Sequence, residues 1–270
     1  MYAFNYHVPD SLADVSSTLQ QCDDAQVLAG GMTLLPTLKQ RLAAPSDLVD
    51  LRNVQALQGI AKIDGGVRIG AMATHASVAG SALVQAQIPA LAELAGGIGD
   101  AQVRHRGTLG GSIANNDPAA DYPAALLALD AIIETDQREI PAGVFFTGMF
   151  ETALAEHELI IAVRFADCAT AAYAKFPNPA SRYAMAGVFV ARLAAGAVRV
   201  AVTGAAACVY RNEPLEQHLA QRFDAQSLSV VEIDTDGFNE DMHADAAYRG
   251  QLVRVMAQRA VDAARTRGIA

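Results

Sequence analysis

Two short segments constrain this chain more than anything else in it: "AGGMT", Ala29 to Thr33, and "TLGGS", Thr108 to Ser112. Each sets adjacent glycines beside a hydroxyl residue. Without Cβ atoms in the way, the backbone N–H groups of such a bend converge on an anion. The first segment follows the apolar run "AQVL" and precedes "LLPTLKQRL", so it reads as strand, glycine turn and helix. Thr33 stands at the capping position, and Pro36 is tolerated in the first turn. A helix that starts there adds free N–H groups and a positive end. The hydroxyls of Thr33, Thr108 and Ser112 suit phosphate oxygens as further donors. The expectation is that both bends contribute main-chain amides and grip one diphosphate from two sides.

Competing nucleotide motifs are absent. After Gly97 and Gly99 the dinucleotide fingerprint requires glycine where Gln102 stands, and no GxxxxGK[ST] occurs. The second glycine pair leads soon into "IANNDPAAD", two amides and two acids with no Lys or Arg. A carboxylate repels phosphate but accepts well from sugar or polyol hydroxyls. Asp121, at the start of an expected helix, serves either a ribityl or ribose hydroxyl or the helix as its cap. Asn115, Asn116 and Asp117 read equally as turn formers before Pro118.

The remaining chemistry-bearing residues narrow the choice by exclusion. A net charge of −9 argues against a nucleic-acid partner, which needs a basic face. The N-terminus has no basic start with an apolar run. The most apolar stretch, from Tyr183 to Tyr210, is broken by Arg192 and Arg199, so no membrane span is expected. Cys22, Cys168 and Cys208 lie too far apart for a CxxC unit and read as reduced thiols of a cytoplasmic protein. The histidines form no HxxxH or HxH pair, so no metal site is expected. No glycine-flanked nucleophile elbow is present. Arg104, His105 and Arg106 stand just before the second glycine pair, as a solvated loop or as an aid to phosphate.

Strand and helix signals alternate through the first half. Ser11 or Asp10 caps a helix with Leu12, Val15 and Leu19 on one face. "DLVDL" reads as a strand, and "GIAKIDGGVRIGA" as a hairpin across Asp64-Gly65-Gly66. "IPALAELAGG" is a helix, and "YPAALLALDAIIET" a helix followed by a strand. Near Asp167 the texture changes to consecutive strands, "AAYAKF", "YAMAGVFVARL" and "GAVRVAVTGAAACVY". In the last, Val198, Val200 and Val202 alternate with Arg199, Ala201 and Thr203, which predicts burial on one face only. A helix from Asp245 to Arg267, with Leu252, Met256 and Ala260 on one stripe, closes the chain. The expected organisation is α+β: residues 1–167 in two lobes, about 1–55 and 56–167, then a domain at 168–270 of antiparallel sheet with helices.

Four stretches carry a resemblance: "LAGGMTLLPTLKQRLAAPSDLVDL", "RGTLGGSIANNDPAADYPAALLALDA", "YAKFPNPASRYAMAGV" and "DMHADAAYRGQLVRVMAQRA". Together they resemble the FAD-binding medium subunit of the molybdenum hydroxylases, the family of aerobic carbon monoxide dehydrogenase and the flavin domain of xanthine dehydrogenase. The resemblance implies a two-lobed FAD domain of the vanillyl-alcohol-oxidase kind. It implies FAD pyrophosphate between Ala29, Gly30, Gly31, Met32 and Thr33 on one side and Thr108, Leu109, Gly110, Gly111 and Ser112 on the other. It further implies Asp121 on the hydroxylated chain, Ile98 beside the adenine, and Lys175 and Tyr183 near the isoalloxazine.

Its implied partners are a small subunit with two [2Fe-2S] clusters and a large subunit with the molybdenum cofactor, as a dimer of heterotrimers. The implied acceptor is NAD, a quinone or oxygen. Two departures stand out. Met32-Thr33 replaces the His-Ser of many relatives. Three scattered cysteines cannot hold the extra cluster of the benzoyl-CoA-type reductases. Two other readings are a stand-alone flavin NAD(P)H oxidoreductase and a cofactor-free structural subunit.

Overall fold

In the computed structural model, which describes residues 1–267, the first lobe forms as its capping and apolar spacing dictate. The Ser11 side chain accepts from the Asp14 amide, and the helix Leu12–Gln21 turns Val15 and Leu19 inward. Ala25–Leu28 and Asn5–His7 flank Asp47–Asp50 in a three-stranded sheet whose pairs are both parallel. Ala29–Thr33 therefore leaves the sheet at the carboxyl end of a strand, the end at which open α/β sheets receive ligands.

The expected hairpin forms next. Ile60–Ile63 pairs antiparallel with Gly66–Gly70, Ile60 opposite Ile69. These strands belong to a five-stranded sheet whose centre is Ile160–Ala166, between Gly66–Gly70 and Ile132–Thr135. The chain runs on from Gly70 into Ala71 and Ala73, on which the second glycine segment packs. Buried Leu91, Leu94, Leu109, Tyr122 and Leu126 join Ile69, Val163 and Phe165 in the largest core cluster.

The last sheet is the expected antiparallel one, with Cys168–Pro177, Ala184–Leu193, Val198–Thr203 and Tyr210–Arg211 in that order. One expectation is corrected: Val198–Thr203 is covered on both faces. Val198, Val200 and Val202 share a core with Leu215 and Leu219 of the helix Glu213–Gln221 and with Val253 and Met256 of the helix Ala246–Arg267. On the other face, packed by the helix Tyr122–Ala128, Ala201 is wholly buried, and Thr203 donates to the Ala120 carbonyl at 2.6 Å. Alternation misleads here because a small residue and an internally bonded hydroxyl occupy the second face. Arg199 alone reaches outward, to pair with Asp130. Among the described residues no helix is long and apolar enough to cross a membrane.

Candidate functional site

The first glycine bend keeps its amides free. Gly31 takes φ +74°, a backbone conformation that suits glycine, and its carbonyl accepts from Leu35 to start the helix Leu34–Lys39. Among the described residues, the backbone N–H groups of Gly30, Gly31, Met32 and Thr33 donate to no protein acceptor. Thr33 holds the N-cap position, but with φ −101° and ψ −51° it is already helical, and its hydroxyl caps nothing. That hydroxyl stays available on the cleft wall.

The second segment differs from expectation. Thr108 to Ser112 is no hairpin-like bend but the cap and first turn of the helix Leu109–Asn115. The Thr108 hydroxyl accepts from the Gly111 amide at 3.1 Å. Leu109 and Gly110 donate to the carbonyls of Ala73 and Ala71 at 2.9 and 2.8 Å, and Ser112 donates to that of Thr108. These four amides are spent within the protein, so the free amides come from the first bend alone. The second contributes the Thr108 and Ser112 hydroxyls, and Gly110 lets its first turn press on Ala71, where a Cβ would lie 2.6 Å from the alanine Cβ. Leu109 is fully buried and lies off the cleft wall, because the first helical turn directs it into the core.

The two segments meet. A Cβ on Gly30 would lie 2.1 Å from the Arg106 carbonyl oxygen and 2.8 Å from the Gly107 Cα, so only glycine allows this approach. Between them opens a cleft of about 770 Å³ lined by Ala29 to Thr33, Thr108, Gly110 to Ser112, Ile98, Asp121 and Tyr183. Arg104, just before the second segment, bonds the carbonyls of Ile98 and Gly99 and steadies that turn. Asn116 takes φ +41° and donates to the Gly148 and Glu151 carbonyls, as a turn former does.

Asp121 is 5% exposed and does not cap its helix. Its oxygens accept from the Tyr173 hydroxyl at 2.5 Å and from Lys175 Nζ at 3.0 Å. Burial raises the Asp121 carboxyl pKa, and Lys175 and Tyr173 oppose that rise. The Tyr173 phenol is pushed far up by burial and by Asp121. Each carboxylate oxygen keeps a lone pair for a further donor from the cleft. Lys175 does not reach the cleft wall: Asp121 and the Gly97 carbonyl, at 3.0 Å each, draw it behind.

Sequence reading missed two buried cleft residues. His75 opens the helix His75–Gly80 and is 5% exposed. Glu158 is 6% exposed and held by Arg138, Thr135 and the Ala155 amide, which keep its carboxyl down at about 2. No motif marks either, since each is placed by contacts distant in sequence. Away from the cleft, His7, Cys22 and Asp47 converge at the first sheet, with His7 Nε2 2.7 Å from Asp47.

The cleft suits a dinucleotide. Free amides at a glycine bend match a diphosphate, glycines let the two segments close on each other, and a buried carboxylate matches a polyol hydroxyl.

Comparison with known proteins agrees. Residues 2–166 match the family described as FAD binding domain in molybdopterin dehydrogenase. The chain is 36% identical to the carbon monoxide dehydrogenase medium chain of Hydrogenophaga pseudoflava, over 97% of this chain and 96% of that one. It is 33% identical to the nicotine 6-hydroxylase medium subunit of Paenarthrobacter nicotinovorans, over 96% of each. The reconstituted CO dehydrogenase of Oligotropha carboxidovorans contains a chain of the same fold, with TM-score 0.89, 32% identity and 98% of each chain covered.

Proposed function

Because this chain belongs to the family of FAD-binding domains in molybdopterin dehydrogenases, we propose that it carries electrons from iron–sulfur clusters of a partner subunit, through FAD, to an external acceptor. As a medium subunit of the molybdenum hydroxylase type, it holds the flavin, and substrate oxidation falls to another polypeptide. The proposed partners are a small iron–sulfur subunit and a large molybdenum subunit, two copies of each in the assembly. The acceptor is NAD, a quinone or oxygen.

FAD, when bound, supplies the exchange between single electrons and electron pairs, while the protein positions and tunes it. The residues contribute binding and orientation. Gly30, Gly31, Met32 and Thr33 would donate amides to the diphosphate, with the Thr33, Thr108 and Ser112 hydroxyls as further donors. Asp121, fixed by Tyr173 and Lys175, would accept a hydroxyl of the polyol chain. Ile98 gives an apolar wall, and Tyr183, 46% exposed, stands at the mouth where a ring can be reached from outside. Lys175 acts through Asp121 in this scheme. No side chain is needed as nucleophile or general base.

The observation that carries this reading is the run of four free amides on residues that line the cleft. Purification from the native host tests it. Flavin, molybdenum and iron should elute together in constant ratio with two further polypeptides. A flavin-bearing chain that elutes alone and oxidises NADH at the full native rate would replace this reading with a self-sufficient oxidoreductase.

A further inference from the structure

One buried group on the cleft has no part in the electron-carrying scheme. His75 sits where the two glycine segments meet. Its backbone N–H donates to the Gly107 carbonyl, and a Cβ on Gly107 would lie 2.5 Å from His75 Nε2. Gly107 is therefore glycine to admit this ring, and Gly107 is also the residue on which Gly30 closes. The ring packs on Tyr122 with centroids 5.4 Å apart, and its Nδ1 is sealed with no partner; Nε2 lies against Gly107, and both His75 and Gly107 line the cleft.

A buried N–H without an acceptor is rarer and costlier than an unused lone pair. The neutral ring therefore carries its hydrogen on Nε2. Burial and Arg104 keep the ring uncharged down to about pH 4. His75 is then a fixed neutral donor beside Gly107, the residue on which Gly30 closes.

We propose that His75 Nε2–H donates to the diphosphate of the bound dinucleotide, as a further cofactor-positioning residue of this cleft. The inference rests on the FAD reading of the cleft, and the experiment separates the two. The full chain, with whatever polypeptides co-purify with it, is stripped of flavin and titrated with FAD and with ADP-ribose. Wild type should bind both. His75→Phe should weaken both by a similar factor, roughly tenfold to a hundredfold, the loss of one hydrogen bond to a charged group. His75→Gln, which keeps a donor, should recover part of the loss.

Circular dichroism and the melting temperature establish that each variant is folded. If His75→Phe misfolds, the Gln variant is compared instead with His75→Met, which has no donor. No binding by wild type overturns the FAD reading itself. Equal affinity of folded wild type and donor-free variants, or a loss for FAD but not for ADP-ribose, overturns this inference alone.

Discussion

At the scale of single residues, the site rests on atoms that are missing as much as on atoms that are present. Gly30 meets Arg106 and Gly107 so closely that Gly30→Ala must part the two arms. The expected outcome is loss of measurable FAD binding with a lowered melting temperature, read by flavin fluorescence and thermal unfolding. Retained affinity would mean that the arms need not touch. Asp121 and Lys175 act as a buried pair. Lys175→Met leaves the carboxylate without its cation, which costs about 3 kcal/mol in urea unfolding. The double variant with Asp121→Asn should regain most of that, because a neutral amide needs no counter-charge. The glycines and Asp121 stand out in the sequence by composition and spacing, and the structure brings them to one cleft. His75 and Glu158 do not stand out, since neither sits in a motif.

At the scale of elements, regular patterning was read well and shared use of backbone was read poorly. The caps at Ser11 and the hairpin at Asp64-Gly65-Gly66 form because local chemistry dictates them. The segment Thr108 to Ser112 looked like a loop because two glycines lower helix propensity. Contacts from Ala71 and Ala73 to its first amides hold it helical. Val198–Thr203 misled for a similar reason, since a helix the alternation cannot reveal covers its second face.

Asn116 ties the helix Leu109–Asn115 to the hairpin of Phe146–Gly148 and Glu151–Thr152 through two side-chain hydrogen bonds, besides its carbonyl, which accepts from Phe150. Asn116→Ala removes both side-chain bonds and strains a left-handed position. Amide hydrogen exchange should quicken across that hairpin and leave the strands Ala184–Leu193 and Val198–Thr203 unchanged. We propose Asp167 as the boundary between the FAD domain and the C-terminal domain. The cluster around Val200 and Met256 lies wholly beyond it, whereas Phe189 and Ala201 pack back into the first domain's core.

At the scale of the whole molecule, acid should destabilise the protein in two stages. His75, with its pKa lowered from 6.5 to about 4, is neutral when folded but protonates when unfolded, so stability is full above 6.5 and falls as pH drops towards 4. Glu158, lowered from 4.5 to about 2, adds stability above 4.5 that is lost as pH falls towards 2. The flavin-free melting temperature should already decline between pH 7 and 5, and His75→Phe should flatten that decline. An unaltered slope in the variant would assign the effect to other groups.

Free amides of Gly30, Gly31, Met32 and Thr33, in a cleft shared with residues 108–112, are expected to hold one dinucleotide per chain. Calorimetric titration of FAD into the flavin-free protein, alone and with its co-purifying polypeptides, tests that most directly. Saturable binding is expected at one FAD per chain in the assembled form, displaced by ADP-ribose. No heat in either form, or binding that ADP-ribose leaves untouched, would contradict it.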